Sequence, residues 1–390
     1  RCLRAAPRRP RRDIRKFSSD GLPATFVEGF HDKELVEKMP YRPLGGRCVD
    51  ANGKPMIVSV LALGASSFGG MYDEDAIDTE SVQVVHKALK AGVNIIDSAA
   101  WYGHGRSEEV LGIALKDVPR EAYYVNTKVC RYEPDILKMF DWTYDRTLTA
   151  IDKALERLGL DYIDSIQVHD PEYAPSLDLV INNVFPAFIK AKEEGKVRQL
   201  GVTGYPLSIL KEQIERAEAE GIQIDTCLSY CHYTLHDTSL KTQLVPYLKE
   251  KGVGLIGASP ISMGLLSNRG PPKWHPAHDH IKKLAKEAAD ICNKEGVDLG
   301  KLSMQFGLLE ESIPTTLVST KSLPRMEQNL KYVQELGQLS DKEKDVLGYL
   351  VSDHFGPHGN LSWEGVEIGQ YWEMMDKARK GEEVGTLSTN

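Results

Sequence analysis

The sequence predicts a single (β/α)8 barrel with an N-terminal β-hairpin plug and an extra C-terminal helix. Three observations lead there. Short runs rich in Val, Ile and Leu recur eight times between about residues 58 and 330, as strands buried on both faces require. Helical stripes lie between them. No break in composition divides the series into halves, which favours one closed barrel over a doubly wound domain followed by something else.

Taken in order, residues 1–39 read as a basic leader and lead-in, 40–355 as the barrel and 356–390 as a C-terminal extension. A hairpin plug is expected near residues 46–60. The eight runs are VLALGA (60–65), VNIIDSA (93–99), AYYVNTKV (122–129), YIDSIQVHD (162–170), VRQLGVTG (197–204), IDTCLSY (224–230), VGLIGAS (253–259) and TTLVST (315–320). Between the first two, Val82, Val85 and Leu89 mark one helix face. Ser107 reads as an N-cap, with Glu108 and Glu109 in the first helical turn. Ile151, Ala154, Leu155 and Leu158 form a stripe that Gly159 ends. The segment 262–280, rich in Pro and Gly, reads as a polar loop over the barrel mouth. Residues 340–354 suggest a helix outside the barrel, and the tail from about 375 a frayed end.

Composition narrows the function. Hydrophobic residues make up 41% of the chain and charged residues 27%, enough for a full core. The chain has 48 basic and 56 acidic residues; the first sixteen take eight of the bases and one acid, leaving 40 against 55. So acidic a body argues against nucleic acid and anionic membrane as partners. The six cysteines form no regular framework and fit a reducing compartment. The Arg-rich start resembles a transit peptide, but Pro7 and Pro10 interrupt any helix there. A cytoplasmic location is expected, with mitochondrial import as the alternative.

Several chemistries are excluded. Gly103-His104-Gly105 follows a strand and opens a helix, but Glu108 stands where a dinucleotide fingerprint needs its third glycine. There is no phosphate-binding P-loop and no nucleophile elbow. Cys227, Cys231, His232 and His236 cluster in sequence but diverge on a strand, so buried strand cysteines are expected rather than zinc. His275, His278 and His280 read as surface residues.

Barrel active sites lie at the C-terminal ends of the strands. Asp97 and Tyr102 follow the second run, Lys128 ends the third and His169 the fourth. Singly, a strand-end lysine snorkels and a histidine serves the core; together they form a proton-transfer set. An ammonium lowers the pKa of a nearby phenol, a carboxylate holds the ammonium, and a neutral imidazole orients a carbonyl oxygen. That suits protonation of an oxygen as hydride reaches carbon.

With YRPLGG (41–46), LALGASSFGG, NIIDSAAWYG, TKV, QVHD, GVTG, ASPISMGLL and TTLVSTKSLPRMEQNL in register, the chain resembles the aldo-keto reductase family over residues 40–335. GVTGYPL, LSYCHYTL and TTLVS look most like its L-galactose dehydrogenase branch and animal relatives. The resemblance implies an NAD(P)-dependent carbonyl–alcohol oxidoreductase acting on a small carbonyl compound or sugar, as a monomer or weak dimer. Asp97, Tyr102, Lys128 and His169 would be its catalytic tetrad, with Tyr102 the general acid or base. A regulatory subunit that binds nucleotide with little turnover is the alternative.

The same resemblance places the cofactor, NADP or NAD, against Thr203, Gly204, Ser229, Ser259, Met263, Gly264, Leu265, Ser319, Lys321, Arg325, Gln328 and Asn329. Thr203-Gly204 stands where many members carry Ser-Asn, Ser229 replaces a Gln, and Ala258 replaces a stacking aromatic. Arg325 and Lys321 suit a 2′-phosphate, whereas Ser319 and Gln328 depart from the NADP-preferring pattern.

Overall fold

All eight apolar runs become strands of one closed barrel in the computed structural model, which describes residues 21–70 and 78–385. An antiparallel pair precedes it, β1 (Tyr41–Pro43) and β2 (Ile57–Ser59). The barrel strands are β3 (Leu61–Gly64), β4 (Ile95–Asp97), β5 (Tyr124–Val129), β6 (Ile163–His169), β7 (Val197–Gly204), β8 (Thr226–Tyr230), β9 (Gly254–Ala258) and β10 (Thr315–Ser319). Neighbours are parallel, and β10 closes the ring by pairing with both β9 and β3. The basic leader, residues 1–20, lies outside the described residues.

The hairpin seals the N-terminal end. Leu44, Cys48, Met56 and Val58 pack with Ile95, Tyr124, Leu228 and Ile256 in one buried cluster. Gln199 Nε2 adds a 2.8 Å hydrogen bond to Val49 O. The plug therefore starts earlier than residue 46, because β1 needs the ladder with β2. The helices Asp78–Lys90 and Tyr144–Leu158 carry the expected stripes, and Gly159 ends the second with φ +65°.

Four local expectations fail. Gly105, not Ser107, is the N-cap of helix Arg106–Leu115; Ser107 is buried and donates to Ala65 O at 2.8 Å. The 262–280 segment is no purely polar loop, since Leu265, Leu266 and Ala277 are buried in a second core with Trp363, and His275 is buried against that indole. His275, expected on the surface, accordingly bonds Ser262 O at 3.0 Å, while His278 and His280 are exposed. The tail from 375 does not fray at once: a helix runs Val366–Arg379, with Tyr371 and Met375 buried against Ala99, Trp101 and Tyr173. The five cysteines among the described residues are free and buried, and no metal-binding group appears among them.

Glu108 shows what holds the β4–β5 side together. Fully buried, it accepts from Thr127 Oγ1 at 2.6 Å and from Arg157 Nε at 2.8 Å. Burial raises its pKa, and the Arg157 charge opposes the rise. Stability tied to a raised carboxyl pKa is present at low pH and lost as pH rises through the folded value. Arg157→Met should therefore cost about 3 kcal/mol at neutral pH by leaving a buried charge without its partner. Urea unfolding should show that deficit shrink as pH falls and protonation relieves the buried charge.

Candidate active site

The strand ends β4, β5 and β6 bring Asp97, Lys128 and His169 to one level. Register pairs Asp97 with Asn126, Lys128 with Gln167, and His169 with Thr203. Tyr102 reaches them because the chain reverses sharply after it. Gly103 and His104 adopt φ of +60° and +56°. A Cβ on Gly103 would lie 2.2 Å from Gly69 O, so only glycine fits there.

The mouth is strained throughout. Among the described residues, the non-glycine positive-φ residues are His104, Cys130, Asp170, Cys231, Ser259, Ser262 and Met263. Cys130, Asp170, Cys231 and Ser259 each directly follow a barrel strand. Such strain survives where surrounding contacts enforce it, and it concentrates at functional sites.

Lys128 Nζ donates to Asp97 Oδ1 at 2.5 Å, to Ser98 O at 2.8 Å and to Tyr102 Oη at 3.3 Å. Asp97 Oδ2 also accepts from Asn126 Nδ2 at 2.5 Å. Asn126 continues to Gln167, and Gln167 to Thr226, so a polar layer crosses the barrel beneath the mouth. The Tyr102 and His169 rings meet edge to face at 5.8 Å. Burial holds His169 well below its ordinary pKa, with Lys128 and Arg131 adding to the effect, so the imidazole is neutral.

Tyr102 departs from expectation. Its pKa lies well above 10, not below: burial raises it most, and Asp97 and Asp170 add to that while Arg131 opposes. The charge of Lys128 is committed to Asp97 at the shorter distance, so it does not dominate the phenol.

The tetrad opens into a cleft at the barrel mouth lined by both polar and apolar side chains. Thr203, Ser259, Met263 and Ser319 line it with the tetrad. Ser229 lies in register with Gly204, its buried Oγ without a partner among the described residues. Leu265, expected as a cofactor contact, buries its side chain in the second core. Gly264 (φ +90°) forms the turn beside Met263. Lys321, Arg325, Gln328 and Asn329 lie beyond Ser319, outside the cleft wall, on a turn and on helix Leu323–Gln334. Arg325 is exposed there, and Asn329 is buried with Nδ2 unpartnered. Orphaned buried polar atoms at Ser229 and Asn329, with open space between strand ends, fit a dinucleotide.

Sequence reasoning missed Arg131, Asp170, Tyr173, Tyr230 and Glu367, which also line the cleft. Arg131 and Asp170 flank the tetrad residues in sequence, so a search around each strand end would have found them. Nothing in the sequence marks Glu367.

A family model described as the aldo/keto reductase family matches residues 60–347. The chain belongs to that family. It is 40% identical over 308 residues to an L-galactose dehydrogenase of Arabidopsis thaliana, covering 78% of this chain and 93% of that protein. It is 28% identical to a D-threo-aldose 1-dehydrogenase of a Pseudomonas species, over 71% of this chain and 90% of that protein. The structure of an aldo-keto reductase from Bacillus halodurans, in its holo form, shares the fold with a TM-score of 0.62 at 24% identity, covering 82% and 99% of the two chains. The structure also accounts for one departure of this aldo-keto reductase from the common pattern. A Cβ on Gly204 would lie 2.5 Å from Glu172 Oε2, whose partner oxygen accepts from Tyr205 N at 2.8 Å. Asparagine has no room there while Glu172 keeps that bond.

Proposed function

We propose that this aldo-keto reductase is an aldose dehydrogenase, with Tyr102 as the general acid or base of an NAD(P)-dependent carbonyl–alcohol interconversion. The observation that carries the reading is the Tyr102 hydroxyl 3.3 Å from Lys128 Nζ, in one cleft with a neutral His169. The 40% identity to an L-galactose dehydrogenase supports a sugar as substrate.

When bound, the nicotinamide ring supplies or accepts the hydride at the carbonyl carbon. The chain's own residues handle the oxygen. Tyr102, kept protonated by burial, gives its proton to the carbonyl oxygen on reduction. Lys128 stabilises the phenolate left behind, and Asp97 holds Lys128 in place. His169, neutral, donates an N–H to the same oxygen and fixes its direction. On oxidation the phenol must first lose its proton, so alcohol turnover should rise with pH.

Thr203, Ser229, Ser259 and Met263 would hold the nicotinamide end. The adenosine end would lie by helix Leu323–Gln334, with Arg325, Lys321, Gln328 and Asn329. At its N-terminus, Glu80 Oε1 accepts from Leu323 N at 2.9 Å. A carboxylate already occupies that anion-favouring position, which tips the site towards NAD, while exposed Arg325 keeps NADP usable. The protein would act as a monomer or weak dimer. Among the described residues no helix is long and apolar enough to cross a membrane.

Tyr102→Phe should lower kcat by roughly 100-fold or more while NADH binding, read by fluorescence titration, survives. Lys128→Met should lose both activity and thermal stability, because it leaves Asp97 a buried charge without its ammonium. Near wild-type kcat in Tyr102→Phe would refute the mechanism; binding without turnover in the wild type would favour a regulatory subunit.

Arg325→Ala should raise KM for NADP by about tenfold and leave KM for NAD within error. An equal rise for both means that Arg325 reads no phosphate.

The protein should work in the cytoplasm. A reporter fused to residues 1–25 that enters mitochondria would overturn this.

A further inference from the structure

Glu367 lies outside residues 60–347, the span that matches the family, yet it lines the cleft that holds the tetrad. It is carried there by the helix Val366–Arg379. Two anchors fix that helix. Trp363, 1% exposed, stacks on Tyr205 directly after β7, at 5.0 Å and 20°, and its N–H bonds Tyr205 Oη at 3.2 Å. Tyr371 sits edge to face on Tyr173, 5.1 Å away, and Tyr173 is itself a wall of the cleft. The extension is thus a built part of the cleft wall.

The charges of the cleft's described lining residues then decide what this wall accepts. Lys128 pairs with Asp97 at 2.5 Å, and Arg131 pairs with Asp170 at 2.8 Å; all four are buried. Each cation has a carboxylate of its own. Glu367 adds a further carboxylate, so the lining carries one more negative group than positive ones. One long hydrogen bond from Trp363 Nε1, 3.3 Å, reaches Glu367 Oε2, and a carboxylate has about four acceptor sites. A wall with spare acceptors and excess negative charge fits hydroxyl donors and repels anions.

We propose that Glu367 is a specificity determinant, accepting hydrogen bonds from the hydroxyls of a neutral polyhydroxylated carbonyl substrate and rejecting carboxylated or phosphorylated analogues. This rests on the aldose dehydrogenase reading and deepens it. Glu367 binds the far end of the substrate rather than the reacting atoms, so it should act on KM more than on kcat. Burial, with Asp170 adding and Arg131 opposing, raises its pKa to about 7. The ionised form is the better acceptor and the repelling one, so KM for an aldose should fall as pH rises through that value.

The test compares wild type, Glu367→Gln and Glu367→Leu with L-galactose, D-galacturonate and methylglyoxal as probes, using NAD and NADP. Glu367→Gln keeps the shape and removes the charge. It should narrow the L-galactose over D-galacturonate preference in kcat/KM by about tenfold and flatten the pH dependence of KM. Glu367→Leu should raise KM for L-galactose about tenfold with kcat changed less than about threefold. Wild-type turnover of methylglyoxal with unchanged sugar selectivity and pH profile in both variants would overturn the proposal alone. No wild-type turnover of any probe would overturn the aldose dehydrogenase reading and the proposal together. Thermal melts separate a loosened helix from a changed site: a large fall in Tm for Glu367→Gln, with kcat lost alongside KM, makes the residue structural and also refutes it.

Discussion

The buried ion pair between Lys128 and Asp97 is the constraint on which the rest of the site depends. An ammonium at the end of β5, 2% exposed, is tolerable only with a carboxylate in contact and its remaining protons bonded. Asp97 supplies the first and Ser98 O and Tyr102 Oη the others. That requirement fixes the register of β4 on β5 and brings the loop after β4 down over the strand ends. It also places the phenol. Asn126 holds the second oxygen of Asp97, and the chain of amides and hydroxyls through Gln167 to Thr226 leaves the barrel interior polar just below the mouth. A barrel filled with aliphatic side chains at that layer would have nothing to orient the pair.

Around this centre the strand ends turn abruptly, and four of them do so through non-glycine residues at positive φ. Each such residue costs roughly 1–3 kcal/mol, which a rigid ring of paired strands can absorb. Gly204 belongs to the same economy of space: Glu172 takes the volume that a larger side chain would fill. The Glu172 carboxyl group ties the end of β7 to the turn after β6.

The C-terminal extension supplies part of the cleft wall. Its aromatic anchors, Trp363 and Tyr371, bury apolar area against Tyr205 and Tyr173, and the helix that holds Tyr371 carries Glu367 to the wall. Stability and selectivity are therefore coupled here, because the contacts that hold the helix also decide the charge facing the substrate.

The barrel and the four-residue set were legible because both are local patterns. Buried parallel strands need short apolar runs, and a polar residue that ends such a run faces the mouth, so Asp97, Lys128 and His169 announce themselves one strand at a time. Helix stops such as Gly159 are local in the same way. What the sequence left open depends on neighbours distant along the chain. Ser107 looked like a cap, but the serine is drawn into the core by Ala65 O, forty-two residues away. His275 looked exposed because its segment is polar and proline-rich, yet the extension supplies a core that buries it. The pKa of Tyr102 could not follow from one nearby lysine, since two carboxylates and full burial enter only on folding. Glu367 had no signal at all. Its role comes from where a helix lands, and that is decided by packing between residues some 160 to 200 positions apart, Tyr205 with Trp363 and Tyr173 with Tyr371.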